Sequence, residues 1–459
     1  MPKHQVINPA TQTLLYEYEY TNHSQCLASI EELSTAGTKA QNELFPKKRY
    51  EILSSLYALV LKNKEKLAFS ITRETGKLII ESRVEVDRAL ITIQVAAEEA
   101  KRITGESYLA ESFSGPIQNL AITVRKPLGL IFCITPFNFP LNLALHKICP
   151  AFISGNTILY KPSECNHQTA QLLVQLCLEA GFPANVIKLI SPTIETLNQI
   201  VSHKKIACVS FTGGTKTADK IAALMGRKKL LLELGGNDAL VVFPDADLNQ
   251  AVVQTIAGRF GTGGQKCTAA KRIFIHDDVY DQFKEKLLLS SKPFHDAIKQ
   301  DPECETSVLG PLISTASALK VKELVDDAID KGAVCLLGNK LNDAYFSATI
   351  LENVDANCEL FVEETFGPVI PLTRFNSTEK LIEQINQTPY GLQAGVFTNN
   401  LALTKKFFSE IEVGTVIMNS GPGYRQENLC FGGVKDSGMG REGISYAVNE
   451  MTYCKQLIF

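Results

Sequence analysis

The chain is predicted to fold as an α/β protein built on an open parallel sheet, and two observations carry that prediction. From Gly129 the sequence settles into a strand, loop, helix rhythm, in which β-branched and aromatic strand segments are separated by stretches of helical periodicity. A second alternation of the same kind runs over residues 239–436. Sheets of this type bind ligands beyond the carboxyl ends of their strands, so functional residues are expected in the loops that follow them.

Taken in order, the first hundred residues read as helical, with few strand signals. In RYEILSSLYALVLKNKEKLAFSITRET (49–75) apolar residues recur at three and four spacing over several turns, which predicts an amphipathic helical pair, and a long helix follows over 79–101. After Gly129 come the strand GLIFCIT, a helix from about Leu141, the strand NTILYKP, a helix near 168–180, the strand VIKLIS, another helix, the strand CVSFTGG and a helix from Thr215. The terminal TYCKQLIF (452–459) reads as an apolar strand that stays exposed unless another sheet pairs with it, which favours a homo-oligomer.

Composition narrows the function classes. With 459 residues, 45% of them hydrophobic, the chain buries more than one substantial core. A net charge of −3 without lysine and arginine clusters offers no field for nucleic acid. No segment approaches the roughly 18 consecutive apolar residues of a membrane span, and MPKHQVINPATQ lacks a signal-like apolar run, so a cytoplasmic enzyme is expected. The 12 cysteines are scattered without C-x-x-C pairs, so neither a metal site nor a disulfide framework is predicted.

One cysteine stands apart. Cys267 lies in FGTGGQKCTAA (260–270), where closely spaced glycines allow the backbone to approach a bound molecule and present the thiol. Upstream, Glu233 sits in LLLELGGND (230–238), a carboxylate in an apolar strand whose burial should raise its pKa into the range of a working base. A nucleophile and a base are the requirements of covalent thioester chemistry.

Seven motifs extend this reading: PFNFPLN (136–142), YKPSE (160–164), FTGGTKTAD (211–219), LELGG (232–236), GQKC (264–267), EETFGP (363–368) and FGGVKDSGMGREG (431–443). In that order and at those separations the chain resembles the aldehyde dehydrogenase superfamily over nearly its whole length. The resemblance implies a Rossmann-type cofactor domain over 1–111 and 129–235, an α/β catalytic domain over 236–436, and a small β oligomerisation flap from 112–128 and 446–459, in a homodimer or homotetramer. It implies Cys267 as nucleophile and Glu233 as general base, and Asn138 as the side chain that completes an oxyanion hole with the Cys267 main-chain amide. Lys147 and Glu442 match positions linked to proton relay and support of the catalytic site.

For the cofactor, Lys161 and Glu164 match the adenosine-ribose segment, where a carboxylate accepts from ribose hydroxyls and repels a 2′-phosphate. NAD is therefore favoured, while Lys161 also admits NADP. Phe211, Thr212, Gly213 and Gly214 lead into a helix whose amino end can hold the pyrophosphate, although Gly214 and Ala218 stand where relatives carry serine and glycine. Glu364 and Phe366 match the nicotinamide-ribose and nicotinamide contacts, and Thr135, Pro136 and Leu234 are carried over as further cofactor neighbours. Only six residues precede Ile7, so the extra strand that relatives place there is expected to be missing.

The carboxy-terminal YRQENLCFGGVKDSGMGREG most resembles the subgroup of lactaldehyde, phosphonoacetaldehyde and non-phosphorylating glyceraldehyde-3-phosphate dehydrogenases. By that resemblance Arg102, Lys266 and Arg425, with His146 nearby, would bind the anionic end of a short aldehyde. Lysine at 266 keeps the charge of the usual arginine but loses its bidentate geometry. If these cations lie scattered on the surface, the pocket suits lactaldehyde or another uncharged aldehyde. Two other classes compete: an acylating enzyme using coenzyme A, which tends to lack the Glu233 carboxylate, and a non-enzymatic binding or structural protein, which needs none of Cys267, Glu233 and Asn138. Cys267→Ala is expected to abolish NADH formation while leaving NAD binding intact, and Glu233→Gln to give a burst of NADH without steady turnover, both readable by stopped-flow absorbance.

Overall fold

A computed structural model describes residues 3–109 and 120–459. A six-stranded sheet has the spatial order Gly438–Met439, Lys229–Glu233, Ile206–Thr212, Leu130–Ile134, Thr157–Lys161, Ile187–Leu189, and is parallel apart from its first edge. The chain moves outward from Leu130–Ile134 through two strands, then returns to lay Ile206–Thr212 on the other flank. That reversal opens a crevice at the carboxyl ends of Leu130–Ile134 and Ile206–Thr212.

Alternation along the strands explains why both faces are covered. Ile131 and Cys133 pack with Leu53, Ile93 and Leu145 from helices Pro46–Lys62, Ile79–Glu99 and Asn142–Ile153. Leu130, Phe132 and Ile134 point the other way, against Ile30, Ile200 and Ile221 from helices His23–Glu32, Ile194–Val201 and Thr215–Met225. A seven-stranded sheet repeats the scheme, and is parallel except at the Val334–Leu337 edge. Val241 and Val242 face opposite cores, one with helix Thr315–Asp330 and the other with helix Leu248–Phe260.

The helices expected over 49–75 divide at Asn63 into Pro46–Lys62 and Lys64–Thr75, and the long helix spans Ile79–Glu99. The missing first strand is corrected: Lys3–Ile7 is a strand, paired antiparallel with Leu14–Glu19. Its partner reads YEYE, where alternating tyrosines replace the aliphatic residues that usually reveal strands; Tyr18 stacks on His167 at 3.9 Å between ring centroids. The strand Thr452–Ile458 pairs with Leu120–Pro127 on one side and is otherwise exposed, with Leu457 and Ile458 more than half accessible. Residues 112–119 of the expected flap lie outside the described residues. Among the described residues, no helix is long and apolar enough to cross a membrane.

A buried ion pair anchors the helix that carries two of the candidate residues. Lys77 Nζ meets Glu85 Oε2 at 2.5 Å, and Glu85 Oε1 accepts from the Leu141 and Asn142 amides at the start of helix Asn142–Ile153. Both side chains are essentially inaccessible. Glu85→Ala leaves the Lys77 ammonium and two amides without their acceptor, so a loss of about 3–5 kcal/mol is expected in chemical denaturation, partly recovered by adding Lys77→Met.

Candidate active site

A cavity of about 390 Å³ is lined by loops that follow the strands of the six-stranded sheet together with the loops around Cys267, Glu364 and Arg425. Cys267 lines it at the end of a turn that follows helix Leu248–Phe260. Three successive residues, Thr262, Gly263 and Gly264, have φ of 56°, 61° and 75°, and a Cβ on Gly264 would lie 2.2 Å from the Gly367 carbonyl oxygen. Glycine is therefore required where the cysteine loop crosses the EETFGP loop. The Cys267 thiol is pushed up to about 12 by burial, against the pull of Lys271, so it rests protonated at neutral pH.

Asn138 lines the same cavity and follows strand Leu130–Ile134. One N–H of its amide donates to the Gln265 carbonyl at 2.8 Å, and its oxygen accepts from the Phe139 amide. The second N–H remains for a ligand, and among the described residues the Cys267 N–H has no hydrogen-bond partner. Asn138 and Cys267 thus line one cavity, each with an N–H that has no partner among the described residues.

Glu233 is buried at the end of strand Lys229–Glu233, and it does not line the cavity that holds Cys267. Its carboxyl is held well above the usual range by burial and by the neighbouring Glu442, and its Oε2 has no hydrogen-bond partner among the described residues. Glu442 behaves oppositely. Burial disfavours its charge, but Lys147 at 2.7 Å and Arg425 at 3.1 Å outweigh that cost and hold its carboxyl down at about 2. Lys147 also donates to Ser210 on strand Ile206–Thr212, which ties this pair to the sheet.

The cations separate into those inside and outside the cavity. Arg425 lines it, with its guanidinium 3.8 Å from the centroid of Phe431, and its buried Nε–H finds no acceptor among the described residues. Lys266 lines it too, but its ammonium donates to the Ala257 carbonyl, and burial pulls it down to about 8 against the attraction of Glu81. His146 is buried beneath, bonded through Nε2 to Glu427, with its pKa lowered chiefly by burial. Arg102 is corrected: it lies past the end of its helix, exposed, 3.6 Å from Glu98. Arg88 lines the cavity in its place and donates through Nε to Glu427 at 2.8 Å. Four and three spacing puts Glu81, Glu85 and Arg88 on one face of Ile79–Glu99, but spacing does not name their partners, which are the Thr262 amide, the Leu141 amide and Glu427.

The other half of the cavity suits a dinucleotide. Thr212, Gly213 and Gly214 lead to helix Thr215–Met225, whose Thr215 and Lys216 amides precede any intrahelical acceptor, while the Thr217 amide donates to the Gly214 carbonyl. Phe211 is buried beneath them, and a Cβ on Gly213 would strike its ring at 2.4 Å. A Cβ on Gly214 would meet nothing within 4 Å, so space remains for a phosphate at the start of the helix. Pro136, Leu234 and Phe366 line the cavity, while Thr135 is buried behind it and donates its amide to the Lys161 carbonyl. Glu364 Oε1 is committed to the Gly236 amide and Lys271, so Oε2 is left for a ligand. Lys161 and Glu164 follow the neighbouring strand, outside the cavity lining; burial lowers the Lys161 pKa against the attraction of Glu164, whose Oε1 accepts from Tyr20 at 3.4 Å.

The family model described as "Aldehyde dehydrogenase family" matches residues 2–457. A sulfoacetaldehyde dehydrogenase of Neptuniibacter caesariensis is 46% identical over 456 residues, covering 99% of this chain and 98% of that protein. A 3-sulfolactaldehyde dehydrogenase of Priestia aryabhattai is 36% identical, covering 98% and 93%. Among solved structures, the glyceraldehyde-3-phosphate dehydrogenase GapN of Methanocaldococcus jannaschii, complexed with NADP, superposes with a TM-score of 0.93 at 36% identity, covering 99% of this chain and 98% of that one.

The site makes stability depend on pH. Glu442 and Glu427 each sit at about 2; for Glu427, burial is outweighed by His146, Arg88 and Arg425. A carboxyl lowered in the folded state contributes stability above its ordinary value near 4.5, and that contribution is lost as pH falls toward 2. Urea denaturation across pH 7 to 3 is expected to show this loss below about pH 4.5, with a shallower slope in Glu442→Gln.

Proposed function

The chain belongs to the aldehyde dehydrogenase family, and on that premise we propose that it oxidises a short, singly charged aldehyde of the sulfoacetaldehyde type to the carboxylic acid, with NAD or NADP as hydride acceptor. The observation that carries this reading is that three cationic side chains, Arg425, Arg88 and Lys266, line the same cavity as Cys267. Each arginine already shares its charge with a buried glutamate, Arg425 with Glu442 and Arg88 with Glu427, and the Lys266 ammonium is partly committed to Ala257. What remains matches the single charge of a sulfonate better than a phosphonate or phosphate dianion. The likeness to sulfoacetaldehyde and sulfolactaldehyde dehydrogenases supports the same substrate class, which moves the expectation from phosphorus to sulfur.

In the proposed chemistry, Cys267 Sγ attacks the aldehyde carbon, and the thiol proton passes to solvent water as the C–S bond forms. The developing oxyanion is received by the free Asn138 N–H and the Cys267 amide. When bound along Thr212–Gly214 and Glu364, the dinucleotide supplies the hydride acceptor. Glu233, whose carboxyl is raised by burial and Glu442, takes a proton from the water that hydrolyses the thioester, releasing acid and the free thiol. Lys147 and Glu442 hold the charge around Glu233 constant during that exchange. Glu164 favours NAD over NADP by its charge. The exposed edge Thr452–Ile458 suits pairing with a second copy of the chain, as in a homo-oligomer.

The test is the rate of NADH or NADPH formation against sulfoacetaldehyde, phosphonoacetaldehyde, glyceraldehyde 3-phosphate, succinic semialdehyde and lactaldehyde. The expected outcome is the highest kcat/KM with sulfoacetaldehyde, lowered by about 10- to 100-fold in Arg88→Ala through KM, with lactaldehyde turnover little changed. Equal or better turnover of lactaldehyde would reassign the pocket to neutral substrates, a second reading favoured by relatives of that name.

A further inference from the structure

Behind the cavity wall, one ammonium group joins the two halves of the site. Lys271 is 1% exposed; its Nζ donates to the carbonyl oxygen of Cys267 at 2.5 Å and pairs with Glu364 Oε1 at 3.0 Å. It stands four residues after the nucleophile, and the intervening turn brings it back beneath Cys267 on the way into strand Arg272–His276. Its third neighbour is the ring of Phe366, 5.9 Å from the ammonium. Nucleophile, ribose-facing carboxylate and nicotinamide-side aromatic are therefore all neighbours of one buried cation.

A backbone carbonyl needs no charge to be satisfied, since a neutral amide donor would serve. Burying an ammonium costs several kcal/mol unless it is well paired, so its charge calls for an explanation. The charged groups around Cys267 supply one. Lys271 and Arg425 favour the thiolate, whereas Glu364 and Asp238 oppose it. Asp238, buried with Oδ2 unpartnered, is itself raised to about 7 by burial against the pull of Lys271, and Lys266 faces Lys271 as a like charge. Lys271 alone among these touches both the residue that must ionise and a carboxylate that resists its ionisation.

We propose that Lys271 is a positioning residue of the active centre, tying the backbone of the nucleophile to Glu364 and supplying the positive charge that favours the Cys267 thiolate. The inference rests on Cys267 being the nucleophile. It predicts opposite effects for the two ends of the pair. Removing the cation makes the thiol harder to ionise; removing the Glu364 charge makes it easier.

The experiment measures iodoacetamide alkylation of full-length protein between pH 7 and 9, quantified on the Cys267 peptide by mass spectrometry, because Cys304, Cys335, Cys430 and Cys454 are also exposed. Lys271→Gln is expected to slow Cys267 alkylation by about tenfold at each pH, equivalent to one pH unit, and Glu364→Gln to accelerate it by a similar factor. Lys271→Arg, which keeps the charge, should stay within about twofold of the natural protein. Since the two effects have opposite sign, whichever variant folds decides the matter. Unchanged alkylation in Lys271→Gln or in Glu364→Gln, or movement of both in one direction, would overturn the proposal. If alkylated Cys267 left aldehyde turnover intact, the nucleophile assignment itself would fall, a result distinct from an unshifted rate.

Discussion

Charge taken out of water must be met by opposite charge or hydrogen bonds, and that constraint holds the centre of this molecule together. Glu442 is gripped by Lys147 from helix Asn142–Ile153 and by Arg425 from the loop beyond the second sheet. Glu427 joins His146 of the same helix to Arg88 of Ile79–Glu99, while Glu85, paired with Lys77, secures the amino end of Asn142–Ile153. Lys147–Glu442, His146–Glu427 and Arg88–Glu427 link segments distant in sequence, and Arg88 and Arg425 carry these contacts to the cavity lining. Loosening one would leave an unpaired buried ion rather than a merely weaker contact.

The same economy of charge gives two adjacent carboxyls different states. Glu233 and Glu442 share one buried neighbourhood, yet one is held up and the other down at about 2. Lys147 and Arg425 make direct contact with Glu442 only, so its ionisation is favoured first and its charge then resists a second one. A carboxyl kept ready to exchange a proton beside a permanent ion pair is the arrangement a hydrolytic base needs. Cys267 rests neutral because burial, with Glu364 and Asp238, outweighs the pull of Lys271 and Arg425.

Much of this was legible before the fold. Alternation placed the strands of the first sheet, because residues such as Ile131 and Phe132 must face opposite cores. The apolar run before Glu233 announced a buried carboxylate. The hairpin Lys3–Ile7 and Leu14–Glu19 escaped because tyrosine rather than aliphatic residues mark its strands. The rim of cations was misplaced by Arg102, since helical position alone does not tell which arginine lies within reach of a loop hundreds of residues away.

The sequence by itself determined the α/β class, the candidate nucleophile and base, and the family, because periodicity, glycine placement and ordered motifs are local properties of the chain. Only the tertiary structure decided that Arg88 replaces Arg102 at the cavity, that Glu233 stands behind the cavity wall beside Glu442, and that Lys271 joins Cys267 to Glu364. Those facts depend on which buried charges meet across the packed sheets. Spacing along the chain carries no record of such meetings, since they are set by the requirement that each buried ion find its partner in space.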